Sequence, residues 1–303
     1  MPYAIGHMRS AKPSFTRRSR VAFKQYVRAE IAAGLDETYQ FETWAADSPG
    51  RAYYDVHLSV IDERETCVPI LSRVLDGRGK RILESGCGTG RWMAFFERLG
   101  HHAYGVDDSP GPLRVARRHD PALRLARADA VQTPFAAQSF DAVFSSYVAE
   151  HFEDGPEDLF REIHRLLRPD GLLLVVVPYN NIFRRLFTNR ALQCFYLLAR
   201  LRGQPLAFTE FRYSRREMAG FLRRSGFRIE QVAPDDFRLP WAKGLSLDLG
   251  PLVLPRGGRG TWELNRLGRI LGRVLNGISP WLSCAGVLYV ARRLGARGLG
   301  VKG

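Results

Sequence analysis

Lysine, paired cysteines and long apolar runs are all scarce in this sequence of 303 residues. Only five lysines occur, so 40 of the 45 basic residues are arginine. The four cysteines form neither a CxxC pair nor a Cys/His pair at metal-ligand spacing, and they are Cys67, Cys87, Cys194 and Cys284. This spacing argues against a metal site and favours reduced thiols in a cytoplasmic protein. No apolar run approaches the roughly 20 residues of a membrane span, and the first residues lack the apolar core of a signal peptide.

The composition is that of a globular protein with an excess of positive charge. Hydrophobic residues make up 45% and charged residues 25% of the chain, which excludes wholesale disorder, collagen and coiled coil. The formal net charge of +14 is compatible with nucleic acid, an acidic membrane surface or an anionic substrate as partner. Net charge does not choose among these, and a basic soluble enzyme without a polyanionic partner is the simplest interpretation.

The first quarter of the chain differs from the rest in its pattern of polar and apolar residues. Residues 1–20 are polar and basic, which indicates a flexible tail. Residues 21–77 are predicted to form a helical cap, because Ser59 to Leu75 carries apolar residues at helical spacing and Asp76-Gly77 then breaks the pattern. Residues 296–303 are predicted to be a second tail.

From residue 78 to residue 295, short apolar strands alternate with amphipathic helices. This alternation predicts one α/β domain with a doubly wound, mostly parallel sheet of seven strands. The predicted strands are Arg81–Ser85, His102–Val106, Leu123–Ala126, Asp141–Ser145, Leu172–Val177, Phe227–Gln231 and Cys284–Ala291. Two insertions interrupt the domain, at 179–212 with an amphipathic stretch over Ile182–Leu201, and at 234–280 with a helix over Trp262–Leu275.

The most informative segment lies where the first predicted strand of the sheet passes into its helix. It reads Glu84-Ser85-Gly86-Cys87-Gly88-Thr89-Gly90. Glycines at such a turn let the backbone approach a ligand closely, and the helix N-terminus offers free N–H groups. A dinucleotide fingerprint would need Gly or Ala at position 91, which is Arg91. A nicotinamide-dependent oxidoreductase is therefore a weak alternative.

Three further polar groups follow the next predicted strands in order. Asp107 ends the second strand, Asp129 and Ala130 follow the third, and Ser146 ends the fourth. Because the carboxyl ends of parallel strands share one edge of a sheet, all of them are expected beside the glycine-rich turn. These residues and the glycine-rich turn thus follow four successive predicted strands.

This ordered set of motifs resembles the class I S-adenosylmethionine-dependent methyltransferases, over about residues 78–233 and the final strand. The resemblance implies a Rossmann-like methyltransferase fold whose last strand is antiparallel, and S-adenosylmethionine as cofactor. Glu84 is then expected to face the methionine amino group, Asp107 the ribose hydroxyls, and Asp129 with Ala130 the adenine. Ser146 aligns with a position that often touches the cofactor. The turn itself supplies the remaining cofactor-binding residues, which are Gly86, Gly88, Thr89 and Gly90.

The resemblance implies methyl transfer to a small molecule, either lipid-like or a biosynthetic intermediate. His151, just past the fourth strand, is the candidate general base because histidine titrates near neutrality; Glu150 and Tyr147 are weaker candidates. The DNA amino-methylating branches carry a Pro-Pro phrase after this strand, and the chain has Ser145-Ser146-Tyr147-Val148 there. Nucleic acid is therefore disfavoured as a partner, although an RNA- or protein-directed methyltransferase stays open.

The stretch Ile182–Leu201 also leaves three interpretations open. Its Phe, Leu and Arg residues suit a helix pair packed on the core, a lid over an apolar substrate, or a peripheral contact with a membrane surface. None of these interpretations involves an integral membrane segment.

Overall fold

The computed structural model describes residues 23–28, 61, 65–240, 242–254 and 263–295. The predicted tails at 1–20 and 296–303, and most of the predicted cap at 21–77, lie outside these ranges.

Strands and helices alternate through the described ranges. The strands are β1 (Phe23–Arg28), β2 (Arg81–Ser85), β3 (His102–Asp107), β4 (Arg124–Arg127), β5 (Phe140–Ser146), β6 (Leu167–Pro178), β7 (Leu206–Arg212), β8 (Phe227–Asp235) and β9 (Gly286–Arg293). The α-helices are α1 (Val68–Val74), α2 (Arg91–Arg98), α3 (Pro110–His119), α4 (Glu157–Leu166), α5 (Asn189–Leu201), α6 (Arg215–Arg224), α7 (Lys243–Val253) and α8 (Arg266–Ile278). A π-helical turn, Arg184–Thr188, and two 3-10 turns, Ala149–His151 and Pro280–Leu282, complete the set.

Seven strands form the central sheet, in the order β4-β3-β2-β5-β6-β9-β8. The pairs from β4 to β6 are parallel, and β9 runs antiparallel to both of its neighbours. The prediction of a doubly wound, mostly parallel sheet with an antiparallel last strand is confirmed. Because β9 is inserted between β6 and β8, the carboxyl end of β8 lies at the same edge as those of β2 to β6.

Strand β6 shows why the sheet is buried on both faces. Its side chains alternate between two hydrophobic clusters, as successive residues of a strand must. Leu173, Val175 and Val177 pack in the cluster that contains Phe160 of α4. Their neighbours Leu172, Leu174 and Val176 pack in the cluster that contains Phe96 of α2. A strand covered by helices on both sides therefore needs the continuous apolar run found here.

The prediction of helix is wrong for residues 23–28. They form β1, which pairs antiparallel with β7, itself an unpredicted strand inside the first insertion. The β1 sequence, Phe-Lys-Gln-Tyr-Val-Arg, has no strict alternation of apolar and polar residues. The half-buried Tyr26 ring lies edge-on to the ring of Tyr196 of α5, with 5.4 Å between the ring centroids. The partner strand and this aromatic contact lie far away in the sequence, so local patterning did not reveal them.

Among its described residues, the second insertion holds two α-helices, whereas one was predicted. Helix α7 is unpredicted, and α8 begins later than the predicted Trp262, which itself lies outside the described residues. The side chain of Asn265 caps α8 by accepting a hydrogen bond from the Gly268 N–H at 2.8 Å. None of the helices in the described ranges is long and apolar enough to cross a bilayer.

Candidate active site

The glycine-rich turn after β2 is fastened to the end of β3. The N–H groups of Gly86 and Cys87 both donate to the carbonyl oxygen of Val106, at 2.8 and 3.0 Å. Gly86 and Gly90 have φ values of +77° and +75°, a left-handed conformation that glycine adopts at little cost. The turn is therefore held as a fixed bend at the carboxyl edge of the sheet.

Asp107 lies directly against this bend. One carboxylate oxygen, Oδ2, accepts from the N–H of Gly88 at 2.9 Å, and the other, Oδ1, accepts from the N–H of Ser109 at 2.9 Å. Burial raises the pKa of Asp107, and these two N–H groups act in the opposite direction. Each oxygen retains acceptor capacity beyond its one N–H bond, so the carboxylate is fixed in place and still able to accept from hydroxyls.

Glu84 is buried beneath the same bend. Its Oε2 accepts from the N–H of Met93 at 3.1 Å. Burial, with the charge of Asp107 as a smaller cause, raises the pKa of Glu84 well above its usual range. A buried carboxylate of this kind is stabilised by a cationic group, such as the ammonium of a bound amino acid.

The space above the bend is open at one glycine and closed at another. A Cβ built on Gly88 meets nothing within 4 Å, whereas one built on Gly86 comes within 2.3 Å of Val148 Cγ2. Gly86 thus permits close packing of the bend against the loop after β5. The open side at Gly88, flanked by Asp107, leaves the backbone of the bend accessible there.

The other predicted cofactor-binding residues come from the neighbouring strand ends. The N–H of Ala128 donates to the Asp107 carbonyl oxygen at 3.1 Å, which brings the loop with Asp129 and Ala130 beside Asp107. Asp129 is exposed, and its Oδ1 accepts from the N–H of Val131 at 3.0 Å. Thr89 is buried in the bend. Ser146 is half-buried at the end of β5, in register with Val176. The structure therefore brings the predicted set to one edge of the sheet.

His151 lies in the 3-10 turn that follows β5. Its Nδ1 lies 2.8 Å from the carbonyl oxygen of Thr209 on β7, so Nδ1 carries the hydrogen and donates it. Its Nε2 lies 4.0 Å from Glu150 Oε1. Burial lowers the pKa of His151, which keeps the ring neutral and its Nε2 lone pair available near pH 7.

A second polar cluster at this edge was missed by sequence analysis, although Tyr147 was considered as a weak candidate base. The buried Tyr147 hydroxyl donates to Asp236 Oδ2 at 2.8 Å, and Lys243 Nζ lies 2.7 Å from Asp236 Oδ1. Burial, reinforced by Asp236, raises the pKa of the neighbouring Asp235. Asp235 Oδ1 has no hydrogen-bond partner among the described residues. The signal in the sequence that could have indicated this cluster is the pair of consecutive acids, Asp235-Asp236, shortly after a predicted strand.

No group of three His, Cys, Asp or Glu side chains in the described part of the chain is arranged to hold a metal ion.

The sheet order and the bend fastened to Asp107 define a Rossmann-like methyltransferase fold. A family model described as a methyltransferase domain matches residues 83–175.

Curated relatives are methyltransferases, and a solved structure shares the fold. The chain is 30% identical to the demethylmenaquinone methyltransferase of Geobacillus kaustophilus over 210 residues, which are 61% of this chain and 88% of that protein. It is 34% identical to the malonyl-[acyl-carrier protein] O-methyltransferase of Serratia marcescens over 32% of this chain and 37% of that protein. The solved 1,6-didemethyltoxoflavin-N1-methyltransferase of Burkholderia thailandensis, with S-adenosylhomocysteine bound, aligns with a TM-score of 0.51 at 17% identity, covering 94% of this chain and 100% of that one.

The chain belongs to the class I S-adenosylmethionine-dependent methyltransferases, the family that its motifs resemble. It spans under half the length of the malonyl-[acyl-carrier protein] O-methyltransferases that it matches.

Proposed function

We propose that this chain is an enzyme that transfers a methyl group from S-adenosylmethionine to a small-molecule nucleophile. The observation that carries the proposal is the hydrogen bond from the Gly88 N–H to Asp107, with the buried Glu84 below it. This hydrogen bond joins the glycine-rich bend and the acid of the next strand into one surface. Asp107 offers acceptors for hydroxyl groups there, and Glu84 offers an acceptor for an ammonium group.

The roles of the cofactor-binding residues follow from the groups that each one offers. Glu84 is proposed to bind the methionine ammonium and Asp107 the two ribose hydroxyls. Asp129 and the N–H of Ala130 are proposed to bind the adenine edge, since both lie on the loop beside Asp107. Ser146 and the bend complete the surface with Gly86, Gly88, Thr89 and Gly90.

The chemistry asks little of the protein beyond alignment. When bound, S-adenosylmethionine supplies a methyl group already activated by a sulfonium. Holding the nucleophile in line and excluding water contributes up to about 7–11 kcal/mol. The protein's main task is therefore orientation at the carboxyl edge of β2 to β5.

His151 is proposed as the general base where the nucleophile carries a proton. The Thr209 carbonyl oxygen fixes the tautomer with the hydrogen on Nδ1. Nε2 is then left to accept a proton from the O–H or N–H group of the molecule that receives the methyl group. The lowered pKa of His151 keeps this nitrogen unprotonated near neutral pH.

The relatives support a small-molecule methyl acceptor, and the cysteines support a reducing compartment. The relatives named above include methyltransferases for demethylmenaquinone and for 1,6-didemethyltoxoflavin. All four cysteines are free, including the exposed Cys194, which supports a cytoplasmic location because such thiols persist in reducing surroundings.

Calorimetry and label transfer test the proposal. S-adenosylhomocysteine is expected to bind and NAD is not. Radiolabel from the methyl group of S-adenosylmethionine is expected to enter the small-molecule fraction of a cell extract. Tight binding of NAD without S-adenosylhomocysteine would reject the cofactor assignment. Label that enters only the RNA or protein fraction would reject the acceptor class while leaving methyl transfer intact.

A further inference from the structure

The two insertions expose apolar side chains that the core does not need. Helix α8 packs one face inward through Gly268, Gly272 and Leu275. A Cβ added to Gly272 would come within 2.8 Å of Leu239, so this face is already closely packed. The opposite face also carries a row of apolar residues, which are Leu267, Ile270, Val274 and Ile278. These four are between 48% and 72% exposed.

The exposed row of α8 lies on one side of the helix and is bordered by arginine. Its members recur at helical spacing, and at about 100° per residue they fall within one narrow arc. The exposed Arg266 and Arg273 fall beside that arc. Helix α8 contains no Asp or Glu, and none follows Glu263 to the end of the chain. The helix therefore presents an apolar strip with arginines along one border and no acidic residue.

The first insertion repeats this combination. The π-helical turn and α5 expose six large apolar side chains, which are Leu186, Phe187, Phe195, Leu197, Leu198 and Leu201. Arg185, Arg190 and Arg200 are exposed among them, and residues 182–209 contain no Asp or Glu.

The two insertions are packed against each other. Phe183 packs with the small hydrophobic cluster that contains Leu245 of α7 and Leu275 of α8. Arg184 forms a buried ion pair with Asp248 of α7, with Nε at 3.0 Å from Oδ1. Each insertion begins at the carboxyl end of a strand: α5 follows β6, and α8 follows β8. The candidate active site lies at this same edge of the sheet.

We propose that the exposed apolar and arginine residues of α5 and α8 form a docking surface for an anionic lipid bilayer. A group of large apolar side chains left exposed on a surface marks an interaction site. Apolar side chains beside arginines match the boundary of acyl chains and anionic headgroups. A second copy of the chain fits poorly, because a two-fold contact through this surface would set arginines against arginines. The proposal does not depend on the methyl-transfer activity.

Co-sedimentation of the full chain with vesicles tests the docking surface. Vesicles of phosphatidylcholine with phosphatidylglycerol are compared with vesicles of phosphatidylcholine alone, at low and at high salt. The chain is expected to bind the anionic vesicles and to lose most of that binding at high salt. Equal binding to both vesicle types, or no binding to either, would overturn the proposal.

Two variants locate the surface. Arg266→Gln/Arg273→Gln is expected to weaken binding by about tenfold or more, whereas the matched pair Arg216→Gln/Arg223→Gln, equally spaced and exposed on α6, is expected to bind like the parent. Ile270→Glu/Val274→Glu is expected to abolish binding, with circular dichroism and S-adenosylhomocysteine affinity unchanged. Parent-like binding of the α8 variants contradicts the assignment. So does a concentration-dependent dimer that these variants dissociate without any vesicle binding.

Discussion

The N–H of Gly88 donates to Oδ2 of Asp107 at 2.9 Å and thereby joins two motifs that lie 19 residues apart in the sequence. One motif ends β2 and the other ends β3, and these strands are parallel neighbours. The acid is consequently oriented before any ligand arrives, which reduces the ordering cost of binding.

Asp107→Asn is expected to weaken S-adenosylhomocysteine binding by about 10- to 100-fold, because hydrogen bonds to a charged group contribute about 1.5–3 kcal/mol. Titration calorimetry measures the change. Asp108→Asn is the matched control, since Asp108 accepts from the Ser109 hydroxyl and leaves Gly88 untouched. Equal losses in the two variants would show that Asp107 has no special place in the site.

Substitution of Gly86 and of Gly88 should separate folding from binding. Gly86→Ala is expected to lower the free energy of unfolding by more than about 1–3 kcal/mol, because the added methyl group meets Val148 at 2.3 Å and φ is left-handed. Gly88→Ala meets open space, so only the left-handed φ of +51° costs stability there. It is expected to lose less stability than Gly86→Ala and more cofactor affinity. Chemical denaturation and calorimetry on both variants measure the difference. A stable Gly86→Ala protein would contradict the packing described.

His151→Gln is expected to lower kcat by about 10²- to 10⁴-fold and to leave S-adenosylhomocysteine affinity unchanged. In the parent enzyme, burial lowers the pKa of His151. Activity should therefore decline only below the ordinary histidine pKa of about 6.5, as the ring becomes protonated. The acid limb of the pH profile should disappear in the variant. Its persistence would assign the proton transfer to another group.

Asp235 should make the protein less stable as pH rises. Burial raises its pKa to about 8 in the folded chain, above the value of about 3.9 in an unfolded one. Between these two values the folded state binds more protons, so the free energy of unfolding falls with increasing pH. Asp235→Asn should flatten that slope in denaturation measured at a series of pH values. Asp236→Asn, which weakens the contacts with Lys243 and Tyr147, should instead destabilise the protein.

The buried pair of Arg184 and Asp248 should be costly to break from one side. Asp248→Ala leaves the buried guanidinium without its carboxylate and is expected to cost about 3–5 kcal/mol in denaturant unfolding. Arg184→Met combined with Asp248→Leu removes both charges and should recover most of the loss. A double variant no better than Asp248→Ala would indicate that Arg184 acts mainly through its bonds to the carbonyl oxygens of Tyr179 and Ala285.

The central sheet could be predicted from the sequence because its signals are local. The apolar strands, the glycine-rich turn and the acid after β3 each occupy a few consecutive residues, and parallel pairing then places their ends together. The residues of β1 carried no comparable signal, since their partner β7 lies in a distant insertion. Strand formation there depends on tertiary pairing rather than on intrinsic preference.

The sequence predicts a candidate-site residue only where that residue lies at the end of a single strand and needs no partner from elsewhere in the chain. Glu84 and Asp107 are examples. The cluster of Tyr147, Asp236 and Lys243 is not, because it joins the end of β5 to the end of β8 and the start of α7. Such a cluster depends on which strand ends become neighbours, and β9 between β6 and β8 determines that arrangement.

The pairing of β1 with β7 also sets an order of events during synthesis. Tyr26 is paired with Phe208, so about 180 residues leave the ribosome between the two partners, at roughly 5–20 residues per second. Strands β2 to β6 are complete before β7 exists, so β1 has to wait for its native partner throughout that time. The two-stranded ribbon can therefore be closed only after the strands that carry the glycine-rich bend and Asp107 have been made.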